Sequence, residues 1–345
     1  MGDRGGSLDD DLFCSFLLGH LETNVFEMAL APSNRTNSSS SSFSLMGIPG
    51  LEASHVWMGI PFCSMYIIAL LGNSMILLIV RLDQTLHEPM YYFLCMLAVI
   101  DLVMATSIVP KMLGIFWLNS VEIAFDACFT QMFFVHSVTA VESGVLLAMA
   151  FDRYVAICYP LRYQAILTGQ KVTQIGLAIL LRAALVMTPV TWMVKHLPYC
   201  GSKVIAHSYC EQMAVVKLAC ADPQAINQCG VVGSTLIVGT DTAFISVSYG
   251  MILRAVLRLA EKKARLKAIG TCGSHLCVML LYYVPGMASI YTQSFGQGVA
   301  RRSQVLLADL YLTLPPMLNP VIYSMRTKQV KDAVLKVFGP KKHPV

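Results

Sequence analysis

The chain has 345 residues, of which 56% are hydrophobic and only 13% charged, and its mean hydropathy is +0.62. A soluble domain carries about 25% charged residues, so this chain is expected to be solvated mostly by lipid. The net charge of +5 is modest, and the basic residues flank apolar spans instead of building a separate basic domain, which argues against nucleic-acid binding.

Residues 1–55 are polar, with a serine run from Ser38 to Ser42. Asn34-Arg35-Thr36 and Asn37-Ser38-Ser39 are both N-glycosylation acceptors, useful only where this end faces the lumen or outside. The apolar stretch Leu12 to Leu18 is short and follows acids, unlike the basic start of a signal peptide. Met28 begins a compact N-terminus by itself, so residues 1–27 read as an upstream extension of the reading frame. Apolar spans follow at roughly 56–80, 90–114, 124–151, 172–194, 228–253, 270–292 and 303–325, each near the ~20 residues that cross a bilayer. Pro189, Pro285 and Pro320 fall inside spans, where membrane helices tolerate them as kinks. Thr327 to Phe338 reads as an amphipathic helix in the inner interface, with Val330, Val334, Leu335 and Phe338 on one side and Lys328, Lys331 and Lys336 on the other. The expected organisation is an outer tail (1–55), a seven-helix bundle (56–325) and a cytoplasmic helix and tail (326–345).

Lysine and arginine placement orients the bundle. Arg153, Arg162 and Lys171 mark one side, as do Arg254, Arg258, Lys262, Lys263, Arg265 and Lys267, and then Arg326, Lys328, Lys331, Lys336, Lys341 and Lys342. Seven spans put the C-terminus inside and the N-terminus outside, at a plasma membrane. The glycosylation acceptors then face outward, as do Cys128, Cys200, Cys210 and Cys220, which can make two bridges in any of three pairings. Cys63, Cys95, Cys158, Cys272 and Cys277 fall in or at the ends of spans and read as reduced packing residues.

Charges inside the spans are expensive and mark function by default. Asp152-Arg153-Tyr154 ends the long apolar run that begins near Cys128. At a cytoplasmic helix mouth, Asp152 can hold Arg153 inward until a partner takes the arginine. Glu142 shares a helix face with Arg153, about 16 Å away along the axis. Asp101 and Glu142 both lie near the middle of spans. Two neighbouring carboxylates cannot both ionise without a cation or proton, so they form either a Na⁺ or proton site or a neutral hydrogen-bonded pair. Arg182 and Asp241, in spans four and five, could offset each other as an intramembrane pair.

Six motifs stand in order along the spans. They are Gly72-Asn73; Pro89-Met90-Tyr91-Tyr92-Phe93-Leu94; Met149-Ala150-Phe151-Asp152-Arg153-Tyr154-Val155-Ala156-Ile157-Cys158; Ser248-Tyr249; Lys267-Ala268-Ile269-Gly270-Thr271-Cys272-Gly273-Ser274-His275; and Pro316-Met317-Leu318-Asn319-Pro320-Val321-Ile322-Tyr323. With these motifs residues 44–338 resemble a rhodopsin-like G-protein-coupled receptor, and more narrowly an olfactory receptor of the class I, or fish-like, group. Tyr282-Tyr283-Val284-Pro285 in span six resembles odorant receptors, and a loop with three cysteines and the Gly47-Ile48-Pro49-Gly50-Leu51 lead-in favour the class I group.

The resemblance implies an all-α seven-transmembrane fold and a receptor that binds small, mostly apolar odorants and activates a Gs/Golf-type G protein to raise cyclic AMP. It gives Arg153 the contact with the G protein, with Tyr249 and Tyr323 swinging in to hold it, unless these are ordinary interfacial tyrosines. Asp152, Tyr154, Asn319 and Pro320 complete the implied switch. Asn73 and Asn319 are expected close to Asp101 and Glu142. Cys128 is expected to pair with Cys210, and Cys200 with Cys220. The implied pocket takes His136, Thr139 and Ala140 from span three, Gly233, Ser234 and Ile237 from span five, Tyr283, Met287, Ile290 and Ser294 from span six, and Gln212 from the loop. His136 is either a ligand contact or a structural histidine. Some class I relatives carry an arginine where Ser294 stands, so a fatty-acid ligand is less secure here; Arg301 and Arg302, in the next loop, read as solvated. Asp309 could favour a cationic ligand, but a hydrogen-bonded packing residue is the stronger reading.

No nucleophile–base–acid set, phosphate loop or metal cluster appears, so an enzyme is not expected, and no cofactor beyond a structural Na⁺. A transporter or channel would call for internal repeats or broken helices at matching positions, and the prolines do not match between halves. A receptor of the same fold for a non-olfactory metabolite is the remaining alternative.

Overall fold

The computed structural model describes residues 42–338, apart from 201, 221–222, 259–260, 297 and 327. Asn34, Asn37 and the proposed extension 1–27 lie outside the described residues. The main helices are α1 (His55–Leu82), α2 (Pro89–Leu118), α3 (Phe125–Cys158), α4 (Gly169–Lys195), α5 (Pro223–Leu257), α6 (Lys262–Phe295), α7 (Arg301–Arg326) and α8 (Lys328–Phe338). Among the described residues, α1 to α7 each contain a stretch long and apolar enough to cross a membrane. Helix is the form that satisfies every backbone polar group inside one segment, as lipid requires. Local signals set several ends. Pro89 opens α2, where its missing N–H is not needed. Asn119 closes α2 in the left-handed conformation, at φ 52°. The Thr168 side chain accepts from Lys171 N to cap α4.

Two helices run about two turns beyond a predicted span end. α3 continues to Cys158, so Asp152-Arg153-Tyr154 sits inside the helix and not at its end. α6 begins at Lys262, about two turns before residue 270. Good helix formers (Lys, Ala, Arg and Leu) carry the start of α6 beyond its most apolar stretch, whereas packing holds the end of α3, where Asp152 and Val155 are buried.

α3 is the central pillar: 61% of its apolar window is buried, against 11% for α4. It packs on α2, α4, α5 and α6. α4 turns Leu177, Leu180, Leu181, Leu185 and Trp192 outward, as a lipid-facing helix does. Close approach of α1 to α7 depends on Gly72, since a Cβ there would stand 2.7 Å from Pro320 Cγ. In α8, Val330 and Ala333 are buried while Gln329, Lys331 and Asp332 are exposed.

One end of the bundle carries a small sheet of order β2-β1-β3, formed by β1 (Ser42–Leu45), β2 (Glu122–Ala124) and β3 (Val204–Ile205). β1 pairs antiparallel with β2 and parallel with β3, which ties the N-terminal segment to the loops before α3 and before α5. After β1 the chain turns at Gly47 with φ 76°, and a Cβ there would meet the His55 ring at 2.6 Å. His55 Nε2 in turn lies 3.2 Å from Ile48 N. Phe43, Leu45, Ile48 and Ile205 bury themselves in the core beneath this sheet.

Candidate functional site

A cavity of about 200 Å³ lies in the half of the bundle that carries the small sheet. Its α3 wall carries His136, Thr139, Ala140 and Ser143; α5 supplies Gly233, Ser234 and Ile237. α6 contributes Tyr283, Met287, Ile290 and Ser294, and Gln212 reaches in from the loop. All eleven residues assigned to a pocket from the sequence therefore line one space. The cavity also takes residues that sequence reasoning missed. Val186, Met187 and Val190 close it from α4, and Tyr311 and Leu312 from α7. Spacing could have found Ser143, one turn beyond Thr139, and Ser289 and Gln293, which continue the α6 face. Nothing local in the sequence brings α4 and α7 to the same wall. The His136 Nε2 is buried without a protein partner.

The loop between α4 and α5 forms the roof. Cys128 and Cys210 are bonded with their Cα atoms 5.4 Å apart, fixing the loop to the start of α3. Cys200 and Cys220 are bonded within the loop itself, with Cα atoms 5.6 Å apart. Gln131 strengthens the junction, accepting from Cys210 N at 3.0 Å and donating to Ser107 O at 2.8 Å. A short helical turn, Gln212–Val216, starts at Glu211, whose side chain accepts from Ala214 N at 2.6 Å. With the Gln293 amide oriented by its neighbours, its nitrogen donates to Glu211 Oε1 at 2.9 Å and its oxygen accepts from Ser289 Oγ at 3.0 Å. Roof and α6 are thus bridged. Burial pushes the Glu211 carboxyl up, against the backbone donors of Met213 and Ala214 and the charges of Arg301 and Lys217.

Asp309 does not line the cavity. It is fully buried, and Ser208 Oγ of the roof donates to its Oδ1. The packing reading therefore describes it better than a ligand counter-charge. His207 beside it is held neutral, its pKa pushed down to about 3 by burial and by Arg301.

Behind the cavity-lining Ser143 and Tyr283 lies a polar junction of four helices. Arg182 Nη1 and Nη2 donate to the two carboxylate oxygens of Asp241, each at 2.8 Å. Ser143 Oγ donates to Asp241 Oδ2 at 2.6 Å and lies 3.0 Å from the Tyr283 hydroxyl. The pair that the sequence only suggested is bidentate, the stronger geometry for such partners. Next to it, Tyr282 donates to Thr139 O at 2.6 Å.

At the opposite end of the bundle, Arg153 Nη2 meets Asp152 Oδ2 at 2.5 Å, and Nε meets the same oxygen at 2.9 Å. Asp152 is fully buried, and Tyr163 donates to its Oδ1 at 2.7 Å. Burial and Asp152 together raise the Tyr163 phenol above its usual range. Tyr163 comes from a short helical turn, Tyr163–Ile166, and was not marked by any sequence signal. Tyr249 is paired with His275 Nδ1 of α6 at 2.7 Å, and the Tyr323 hydroxyl is buried without a partner. In this arrangement neither tyrosine holds Arg153. Tyr154 is half-buried, its hydroxyl 3.5 Å from that of Tyr159.

Between these ends, Asp101 and Glu142 are both buried. Asn319 Nδ2 lies 3.1 Å from each Asp101 oxygen. Asn73 Nδ2 donates to Ala69 O and Pro316 O, both at 2.9 Å, so it braces α1 against the α7 backbone beside Pro320. Glu142 Oε1, Asn73 Oδ1 and Asn319 Oδ1 are buried acceptors without protein partners.

The sequence is similar to known proteins over nearly the whole chain. A family model described as olfactory receptor matches residues 62–341. Olfactory receptor 52I2 of Homo sapiens is 55% identical over 326 residues, covering 93% of this chain and 93% of the relative. Olfactory receptor 52I1 of Homo sapiens is 56% identical over 302 residues, covering 87% and 93%. Olfactory receptor 51E2 of Rattus norvegicus is 49% identical over 302 residues, covering 88% and 94%. With seven apolar membrane-length helices and matches of this extent, the chain is a multi-pass membrane protein, not an enzyme, and it belongs to the olfactory receptor family of G-protein-coupled receptors, in its class I group.

Proposed function

We propose that this receptor binds small, mostly apolar molecules in the outer cavity and activates a Gs/Golf-type G protein, raising cyclic AMP. The observation that carries the reading is the cavity itself: apolar walls, a few fixed polar groups and a roof stapled to α3, as small-molecule sites require. His136, Tyr283 and Met287 would sense the ligand. The Asp152–Arg153 pair would report it by releasing the guanidinium, with Tyr249 and Tyr323 as its new partners. A ligand shifts this equilibrium only as far as it prefers the active arrangement. Basic residues near the helix ends support a cytoplasmic C-terminus and an outer N-terminus. Residues 1–55 would then form the outer tail, glycosylated at Asn34 and Asn37, and 326–345 the inner helix and tail.

A cyclic-AMP reporter assay with surface staining tests the reading, using acids, alcohols, aldehydes, ketones and amines. A dose-dependent response lost in Arg153→Ala at equal surface level supports it. A response that survives this variant refutes the arginine switch.

A second reading concerns Asp101 and Glu142. Three unpartnered buried acceptors, on Glu142, Asn73 and Asn319, favour a Na⁺ or a proton among them that biases the inactive state. Glu142→Gln should then change basal signalling and its sodium dependence; if neither moves, the acid-pair switch is wrong.

A further inference from the structure

The charge of the ligand is written into the cavity wall. No lysine or arginine lines it among the described residues, whereas Glu211 does. Position 294, beside the roof bridge, is a serine. Glu211 is not poised to take an ammonium group either. One of its oxygens is held by Ala214 N at 2.6 Å and the other by the Gln293 amide at 2.9 Å. Arg301 and Lys217 act on it without lining the cavity. The carboxyl is therefore satisfied by the protein, and in its ionised form it repels an anion brought beneath it. Elsewhere the wall offers neutral groups: the unpartnered His136 Nε2 and the hydroxyls of Ser234 and Ser294. A hydroxyl ligand both donates and accepts, so it suits His136 in either tautomer.

We infer that Glu211, braced by Gln293 and facing a cavity without a cation, selects uncharged hydroxyl-bearing ligands and rejects carboxylates. The inference rests on the outer cavity being the ligand site. A like charge within about 6 Å of Glu211 would weaken an acid on the order of a hundredfold relative to the matching alcohol. Apolar chain packing is common to both ligands, so it cancels in the comparison.

The test uses the full-length receptor, a cyclic-AMP reporter and surface staining, with a straight-chain alcohol, carboxylic acid and primary amine of equal length. The wild type should respond to the alcohol at concentrations at least about tenfold below those needed for the acid or the amine. Ser294→Arg should move the acid-to-alcohol potency ratio about tenfold or more toward the acid. Glu211→Gln should move it the same way; Gln keeps an acceptor for Ala214 N, and Ser294→Arg leaves Glu211 in place if the first variant folds poorly. Equal or better potency of the acid or amine in wild type overturns the inference. So does silence toward the alcohol, or an unmoved ratio in Ser294→Arg at normal surface level. Met287→Trp separates the two readings. If it leaves every response intact, the cavity is not the ligand site. If it abolishes them while the acid is the best wild-type ligand, only the charge selection fails.

Discussion

Arg182→Met should destabilise the receptor more than any single change at its partner. Asp241 is 2% exposed and accepts two guanidinium donors at 2.8 Å and the Ser143 hydroxyl at 2.6 Å. Removing the guanidinium leaves a buried carboxylate with one neutral donor. Breaking a buried ion pair from one side typically costs about 3–5 kcal/mol. The reverse change, Asp241→Asn, should cost less, because the Arg182 side chain is 34% exposed and can turn its charge toward the interface. The double variant Arg182→Met, Asp241→Leu removes both charges and should recover most of the loss, since a well-packed apolar pair is often as stable as an ionic one. Surface level by flow cytometry and the thermal unfolding midpoint of detergent-purified receptor both read the ranking. A loss on the order of 10 °C is expected for Arg182→Met, given a few degrees per kcal/mol. A midpoint equal to wild type in Arg182→Met, or a double variant no better than that single one, would refute the argument.

Tyr163→Phe removes the 2.7 Å donor to the buried Asp152, a charge-assisted bond worth about 1.5–3 kcal/mol; basal cyclic AMP per surface receptor should rise, and an unchanged baseline counts against the lock. His207 binds no proton in the folded roof until about pH 3, whereas an exposed histidine does so near pH 6.5. Its stabilising contribution is therefore complete above about pH 6.5 and is lost as pH falls toward 3, roughly 2 kcal/mol by pH 5. Thermal midpoints at pH 7.5 and 5 should diverge less in His207→Gln than in wild type. Breaking the outer bridges should scale with the loop each closes: about 4.5 kcal/mol for Cys128–Cys210 and about 3 for Cys200–Cys220, from sequence separations of 82 and 20. Cys128→Ser should thus lower surface level more than Cys220→Ser. Gly72→Val should also lower it, by pushing α1 off Pro320, while Gly250→Ala, with open space around it, should not.

The bundle was legible because lipid imposes a one-dimensional rule. Apolar runs of the right length become helices, and their order along the chain is enough to place Cys128, Cys210 and the pocket residues on one side. Helix ends were less legible. α6 starts in a polar stretch where propensity continues the helix, whereas α3 runs on past its most apolar stretch because Asp152 and Val155 are buried there. The α3, α5 and α6 walls of the cavity followed from family-like motifs, but Met187 of α4 and Tyr311 of α7 did not. Their presence depends on how α4 and α7 lean on α3, a packing outcome with no local periodicity to announce it.

Charges show the same division between what a residue type demands and where it finds its partner. A carboxylate at 241 and a guanidinium at 182 are each too expensive in lipid to stand alone, so the sequence requires a partner for both. It does not say which, because the two lie 59 positions apart on separate helices. Asn73 illustrates the converse. Its amide nitrogen is used on Ala69 O and Pro316 O, while its Oδ1 stays open. The backbone near Pro320 has carbonyls left over by the missing proline N–H groups, and a neighbouring side-chain donor satisfies one of them. Asn73 is thus drawn to the proline-rich turn of α7, and Asn319 alone is left to face Asp101. Obligatory satisfaction of buried polar groups, applied after the helices are placed, accounts for both assignments. It also leaves open acceptors on Glu142, Asn73 and Asn319, where a cation or proton would complete the set.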